Sequence, residues 1–288
     1  VYSDIKLAQE RFEDARAILE PQVEFLTNYY NGKENEVLAR VYVHFSKILI
    51  ALGEYREANT YLEAGREIYD KIYHDVVDYE YMLKVTGNFY MELSYYEEAI
   101  ELLEEAERIS KEFGDDLTID ELSEFAVLYI KTGRFKGIEE LLLEIIAEKK
   151  QLKQAQGSIV PDYNKLAELY LIQGKYSEVE ECLHAVNQLV DHDFKQTLKY
   201  AETQNLEGKF YMLIGDFVKA NGLFKKVREK QEELLPNGHP KIAYTIQEEC
   251  ISRLAMGEVD GVEVDLQEAS GIIKDAVGED TRAYAESL

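Results

Sequence analysis

The chain has 288 residues, with 57 acidic against 32 basic side chains and a formal net charge of −25. That imbalance excludes a nucleic-acid-binding domain held by a general basic surface, which needs Lys and Arg in excess to meet phosphates, and it argues against docking on anionic lipid. Hydrophobic residues make up 46% and charged ones 31%, so the chain can bury a large core and is not of the disordered type.

From the N-terminus onward, apolar residues recur at three- and four-residue spacing and strand-like alternation is absent. This predicts an all-α protein with helices of about 14–18 residues. Phe12, Ala15 and Leu19 fit the second helix of an element anchored near Glu10, which makes residues 1–33 a partial repeat. A short phrase then returns along the chain: Leu52-Gly53-Glu54-Tyr55, Leu93-Ser94-Tyr95-Tyr96, Thr132-Gly133-Arg134-Phe135, Gln173-Gly174-Lys175-Tyr176, Ile214-Gly215-Asp216-Phe217 and Met256-Gly257-Glu258-Val259. With Gly53, Ser94, Gly133, Gly174, Gly215 and Gly257 as anchors, the spacings are 41, 39, 41, 41 and 42. Six repeats follow, at about 34–74, 75–114, 115–154, 155–195, 196–237 and 238–277. Residues 278–288, which open Gly278-Glu279-Asp280-Thr281, look like the start of another. Both ends fall inside repeats, so the expectation is one array over 1–288, cut from a longer protein.

Other positions keep register with the anchor. Seven before it stand Ser46, Gly87, Ala126, Ala167, Gly208 and Cys250, all small; four before it stand Leu49, Tyr90, Tyr129, Tyr170, Tyr211 and Arg253. Two after it stand Tyr55, Tyr96, Phe135, Tyr176, Phe217 and Val259, and nine after it Leu62, Leu103, Leu142, Leu183, Phe224 and Leu266. The anchor ends a first helix, because glycine tolerates the left-handed conformation found there. The small residue lets a neighbouring helix approach, and the aromatics fill the space between helices. One such hairpin cannot bury its own face, so its neighbours must supply the core.

These residues resemble the tetratricopeptide repeat family, whose hallmarks are the small–x–x–aromatic pattern and the Gly-x-aromatic turn. The resemblance covers nearly the whole chain and implies an α-α superhelix, a non-catalytic array whose first helices line a concave groove for a peptide or protein segment. The spacing exceeds that family's usual 34 residues. Together with His239-Pro240 opening a first helix, it looks more like the longer repeats of kinesin light chains. Repeat six is the weakest, with Arg253 and Val259 at aromatic positions.

A search for chemistry comes out nearly empty. There is no phosphate-binding Gly-rich loop and no H-E-x-x-H helix. His44, His74, His184, His192 and His239 do not form a ligand set; Cys182 and His184, two apart, do not share a helix face. Acid pairs such as Glu97–Glu98 and Glu104–Glu105 read as a solvated outer face. Cys182 and Cys250 read as buried thiols on helices. The expectation is no enzyme activity, no cofactor and no metal. The absence of a signal peptide, a membrane span and an N-x-S/T site leads us to expect a cytoplasmic protein.

Helical phase points three offsets into the groove. Ten before the anchor stand Val43, Lys84, Ser123, Asn164, Asn205 and Gln247, so three consecutive repeats present a side-chain amide. An amide both donates and accepts, and a ladder of them can grip the backbone of an extended peptide; polar residues are also common on any exposed helix face. Six before stand Lys47, Asn88, Val127, Glu168, Lys209 and Ile251, and thirteen before stand Arg40, Tyr81, Asp120, Pro161, Glu202 and Tyr244. Arg40, Lys47 and Lys84 fall in the first two repeats and predict a preference there for an acidic or carboxylate-bearing segment. Lys84-Val85-Thr86-Gly87-Asn88 resembles the start of the family's carboxylate clamp for chaperone tails. Glu124 and Pro161 stand at later clamp positions, beside Lys165, and Glu124 would repel a carboxylate, so chaperone-tail binding is not expected.

The leading reading is thus a protein–protein interaction module that takes a peptide in its groove, with apolar pockets near Met91, Ile130, Leu171 and Met212. A second is the regulatory or sensor arm of a larger protein, a protease or transcription regulator. A third is a scaffold that self-associates through its end repeats.

Overall fold

The computed structural model describes residues 2–31, 33–72, 76–112 and 118–288. Among them no strand occurs. The helices are α1 (Tyr2–Ala8), α2 (Phe12–Tyr30), α3 (Glu36–Leu52), α4 (Tyr55–Lys71), α5 (Val76–Glu92), α6 (Tyr96–Glu112), α7 (Ile119–Lys131), α8 (Ile138–Gln151), α9 (Gln156–Gln173), α10 (Tyr176–Leu189), α11 (Leu198–Ile214), α12 (Phe217–Leu234), α13 (Pro240–Ala255), α14 (Val262–Val277) and α15 (Arg282–Glu286). The expected repeat boundaries at 74/75 and 114/115, and His74, lie outside the described residues. The chain forms two compact units: unit 1 is Val1–Leu117 with Ile273–Leu288, and unit 2 is Thr118–Ile272.

Every predicted anchor terminates a first helix in the left-handed region. Gly53, Gly133, Gly174, Gly215 and Gly257 have φ of 77°, 73°, 69°, 85° and 82°, while Ser94 takes 62° and Glu10 takes 57° without being glycine. The next residue's N–H then reaches back to the carbonyl four before the anchor, as in Glu54 N to Leu49 O (2.9 Å), Tyr95 N to Tyr90 O (2.9 Å), Lys175 N to Tyr170 O (2.9 Å) and Asp216 N to Tyr211 O (2.9 Å). This Schellman closure satisfies carbonyls the helix would otherwise strand and, in these four repeats, turns the chain directly into its second helix. Ser94 holds its strained φ while Tyr96 donates to its Oγ at 3.2 Å. We expect Ser94→Gly to stabilise unit 1 by about 0.5–1 kcal/mol, since an L-residue in this region costs about 1–2 kcal/mol and the hydroxyl contact returns only part. A urea midpoint that stays put or falls would show the Tyr96 bond to outweigh the strain.

The packing register also follows the sequence. Ser46, Ala126, Ala167 and Cys250 are almost inaccessible, as are Leu62, Leu103, Leu142 and Phe224 nine after their anchors. The two columns meet face to face: a Cβ built on Gly208 would stand 2.5 Å from Phe224 Cε1, and one on Gly87 3.0 Å from Leu103 Cδ2. In unit 2 a continuous core joins Ile130, Leu142, Leu166, Leu169, Leu183 and Phe210.

Two departures have local causes. The second helix of repeat three starts at Ile138 rather than two residues after its anchor, because Gly137 is itself left-handed at φ 80° and inserts a turn. In repeat six Val259 is 66% exposed, so it does not fill the space an aromatic would. Pro240 sits in the first turn of α13 with His239 as its cap, Nδ1 accepting from Lys241 N at 3.1 Å, as the His-Pro pair predicts.

A candidate ligand cleft in unit 2

The first helices of unit 2 (α7, α9, α11 and α13) line a cleft of about 430 Å³. Its walls hold Val127, Pro161, Asn164, Glu168, Glu202, Asn205, Lys209 and Tyr244, all drawn from the three offsets predicted to face inward. Gln247, the third member of the predicted amide ladder, is half-buried and does not line the cleft. Ser123 is withdrawn as well, buried and donating to Asp162.

Of the two remaining amides, Asn164 has one end engaged. Asn164 Oδ1 accepts from Thr203 Oγ1 at 2.9 Å, leaving Asn164 Nδ2 buried with no hydrogen-bond partner. Asn205 Oδ1 is likewise buried and unpartnered. A buried polar atom without a partner costs about 1–3 kcal/mol, so this cleft floor offers one donor and one acceptor that an incoming backbone would satisfy. The charges on the walls are paired: Lys131 with Glu168 (2.6 Å), Lys209 with Glu248 (3.3 Å) and Lys241 with Glu202 (3.3 Å).

Beside the floor, with Thr245 and its partner Gln231 reaching the cleft lining, runs a buried polar column that the sequence reading missed. Asp162, Thr203 and Thr245 each stand twelve before an anchor and are inaccessible. Asp162 Oδ2 accepts from Lys149 Nζ at 2.7 Å, and Thr245 donates to Gln231 Oε1 at 2.8 Å. Lys149 and Gln231 share the place sixteen after their anchors, a column otherwise filled by Tyr69, Ser110, Val190 and Ile273. Three polar residues, Ser110, Lys149 and Gln231, in a column shared with Tyr69, Val190 and Ile273 were the available signal. Lys149 is drawn down by burial, but the carboxylates of Asp120 and Asp162 outweigh this and hold it above the ordinary lysine range. Lys165, in the cleft wall, shares Asp162 at 3.5 Å, and burial pushes it below that range.

The remaining predicted site residues belong to unit 1. Arg40 Nε donates to Asp78 Oδ2 at 2.7 Å, and Lys84 pairs with Glu80. Lys47 lies 5.9 Å from the centre of the Tyr81 ring, whose hydroxyl meets His44 Nδ1 at 3.3 Å. Burial raises the Tyr81 hydroxyl far above the usual tyrosine range. Asn88 Oδ1 is buried without a partner. Both thiols are buried, and burial pushes Cys182 up to about 12. Among the described residues no three His, Cys, Asp or Glu side chains stand together as a metal site, and no helix is long and apolar enough to cross a membrane.

No family model matches the chain. Among curated proteins it is similar to the transcription activator GutR of Bacillus subtilis (strain 168), 25% identical over 146 residues. That stretch is 51% of this chain and 17% of GutR, so the chain spans less than a fifth of that relative's length. Among solved structures it is similar to a Rap protein complexed with Competence and Sporulation Factor, with a TM-score of 0.68 and 14% identity over 94% of this chain and 75% of that one. It is also similar to NprR in complex with its cognate peptide NprX, with a TM-score of 0.64 and 14% identity over 99% of this chain and 81% of that one. At such identity the likeness is one of fold, and the fold is a tetratricopeptide-type array of α-helical hairpins.

Proposed function

We propose that the unit 2 cleft binds an extended peptide or protein segment, without catalysing a reaction. The observation that carries this is the pair of unpartnered amide atoms, Asn164 Nδ2 and Asn205 Oδ1, on a cleft floor otherwise closed by internal pairing. Asn164 Nδ2 donates to a peptide carbonyl and Asn205 Oδ1 accepts from a peptide N–H. Val127, Pro161, Leu206 and the Tyr244 ring receive the ligand's apolar side chains. The solved peptide complex of NprR, a protein of the same fold, supports the reading. Arg40, Lys47, Tyr81, Lys84 and Asn88 form a separate surface in unit 1. There Arg40 and Lys84 already have internal carboxylates, so an acidic segment must compete with Asp78 and Glu80.

The test is selection of peptides from a random heptapeptide library by the full chain, followed by affinity measurement on an enriched peptide. Asn164→Ala and Asn205→Ala should each weaken binding about tenfold, the equivalent of one lost hydrogen bond to a buried group. Unchanged affinity in both variants, or no enrichment at all, overturns the proposal.

The similarity to part of GutR favours a second reading of the same cleft as the sensing arm of a larger regulator. On that reading the whole chain, 1–288, is one array in a cytoplasmic protein. Sequence beyond Val1 and Leu288 would then encode an effector. Self-association through the last repeat, where Val259 and Val264 are exposed, would show as a molar mass rising with concentration in light scattering.

A further inference from the structure

Unit 1 contains a second concavity, of about 570 Å³, bounded by α4, the end of α5, the start of α6 and the stretch around Val277 and Thr281. Its character differs from that of the unit 2 cleft. Four aromatic rings line it, those of Tyr55, Phe89, Tyr90 and Tyr95, with Tyr90 and Tyr95 edge to face at 6.1 Å. The carboxylate of Glu98 stands beside them. The guanidinium of Arg282, from α15, lies 5.0 Å from the centre of the Tyr95 ring and 3.6 Å from Glu98 Oε1.

Arg282 uses this place incompletely. Its side chain is 53% exposed and its contact with Glu98 is long. The second carboxylate oxygen, Glu98 Oε2, is buried and has no hydrogen-bond partner. A guanidinium binds best when its fork meets both oxygens of a carboxylate while its plane rests on an aromatic face. Here the ring and both oxygens are present, but the resident arginine engages one oxygen from the rim. Arg56, the cation on the wall, is turned toward the backbone and donates to Lys274 O at 3.2 Å, and its charge acts on Glu279. The net charge of −25 favours the approach of a cationic segment.

We propose that this cleft is a second binding site, for the arginine side chain of a partner segment, and that Arg282 is its internal competitor. The incoming guanidinium stacks on Tyr95, takes both oxygens of Glu98 and displaces Arg282 to solvent. The site lies wholly in unit 1 and does not depend on the amides of unit 2.

The test uses the full chain and two probes, N-acetyl-arginine amide and its uncharged isostere N-acetyl-citrulline amide, titrated by NMR. Arg282→Ala should tighten arginine-amide binding about fivefold by removing the competitor. Adding Glu98→Gln to that variant should weaken it about tenfold, and the citrulline probe should bind at least about tenfold more weakly than the arginine probe. Helical content by circular dichroism checks the fold, and Arg282→Gln replaces the alanine variant if α15 is lost. Binding no tighter without Arg282, no loss with Glu98→Gln, or equal binding of the two probes each overturns the assignment. Asn164→Ala and Asn205→Ala should leave this binding unchanged.

Discussion

Replacing Asp162 by alanine should destabilise unit 2 by about 3–5 kcal/mol, the range for breaking a buried ion pair from one side. The carboxylate is inaccessible and accepts from Lys149 Nζ at 2.7 Å and from the Ser123 hydroxyl, with Lys165 Nζ at 3.5 Å. Lys149 is itself buried, with only 2% of its surface exposed. Removing Asp162 leaves two cations facing one cavity. Asp120, the other carboxylate on Lys149, is 72% exposed and cannot hold both. Asp120→Ala is the matched control: an exposed partner of the same lysine, expected to cost about 1 kcal/mol or less. Repeat arrays need not unfold in one step, so the readout is the hydrogen-exchange protection of α8 and α9 amides together with the urea midpoint. Equal costs for the two substitutions would mean that water reaches Lys149 and that the cluster is not a structural lock.

That cluster also marks the limit of what the sequence discloses. The turns were legible because a left-handed residue is a local demand, and glycine answers it at five of the six anchors. The seam was legible because a small residue opposite a large one repeats with the period. Charge partners were not, because they are set by stacking between repeats. Arg40 pairs with Asp78, Lys131 with Glu168, Lys175 with Glu139, Lys209 with Glu248 and Lys241 with Glu202, at separations of 36 to 39 residues, close to one repeat. Taken one helix face at a time, Arg40 and Lys84 read as ligand-seeking cations. With the neighbouring helix in place, Arg40 has a carboxylate from the next repeat, and Lys84 one from its own helix. Lys149, within Glu148-Lys149-Lys150, reads as surface, yet its offset from the anchor is that of a buried column. Of the amide ladder, phase alone placed Asn164 and Asn205 in one cleft. It could not show that Gln247 lies outside it or that Gln231 enters from a second helix.

The same substitution, glycine to alanine, should change sign with its place relative to that seam. Gly208, seven before its anchor, lies where a Cβ would meet the Phe224 ring at 2.5, 2.9 and 3.0 Å. The ring is inaccessible and packed on all sides, so it cannot swing clear. Alanine gains about 1 kcal/mol of helix propensity, but the overpacking costs more, and Gly208→Ala should lower stability by about 1–3 kcal/mol net. Gly222, on the exposed face of α12, has no neighbour within 4 Å of a built Cβ. Gly222→Ala should therefore raise stability by about 0.5–1 kcal/mol. Gly87→Ala falls between them: its Cβ meets the branched end of Leu103 at 3.0 Å, and a leucine can rotate where a phenylalanine ring cannot. Combining Gly208→Ala with Phe224→Leu should recover part of the loss, because the two sites share one contact and so are not additive. Urea unfolding of the four variants decides the matter. If Gly208→Ala stabilises as Gly222→Ala does, the ring moves at no cost, and the small residue seven before the anchor is not what lets the two helices of a repeat close on each other.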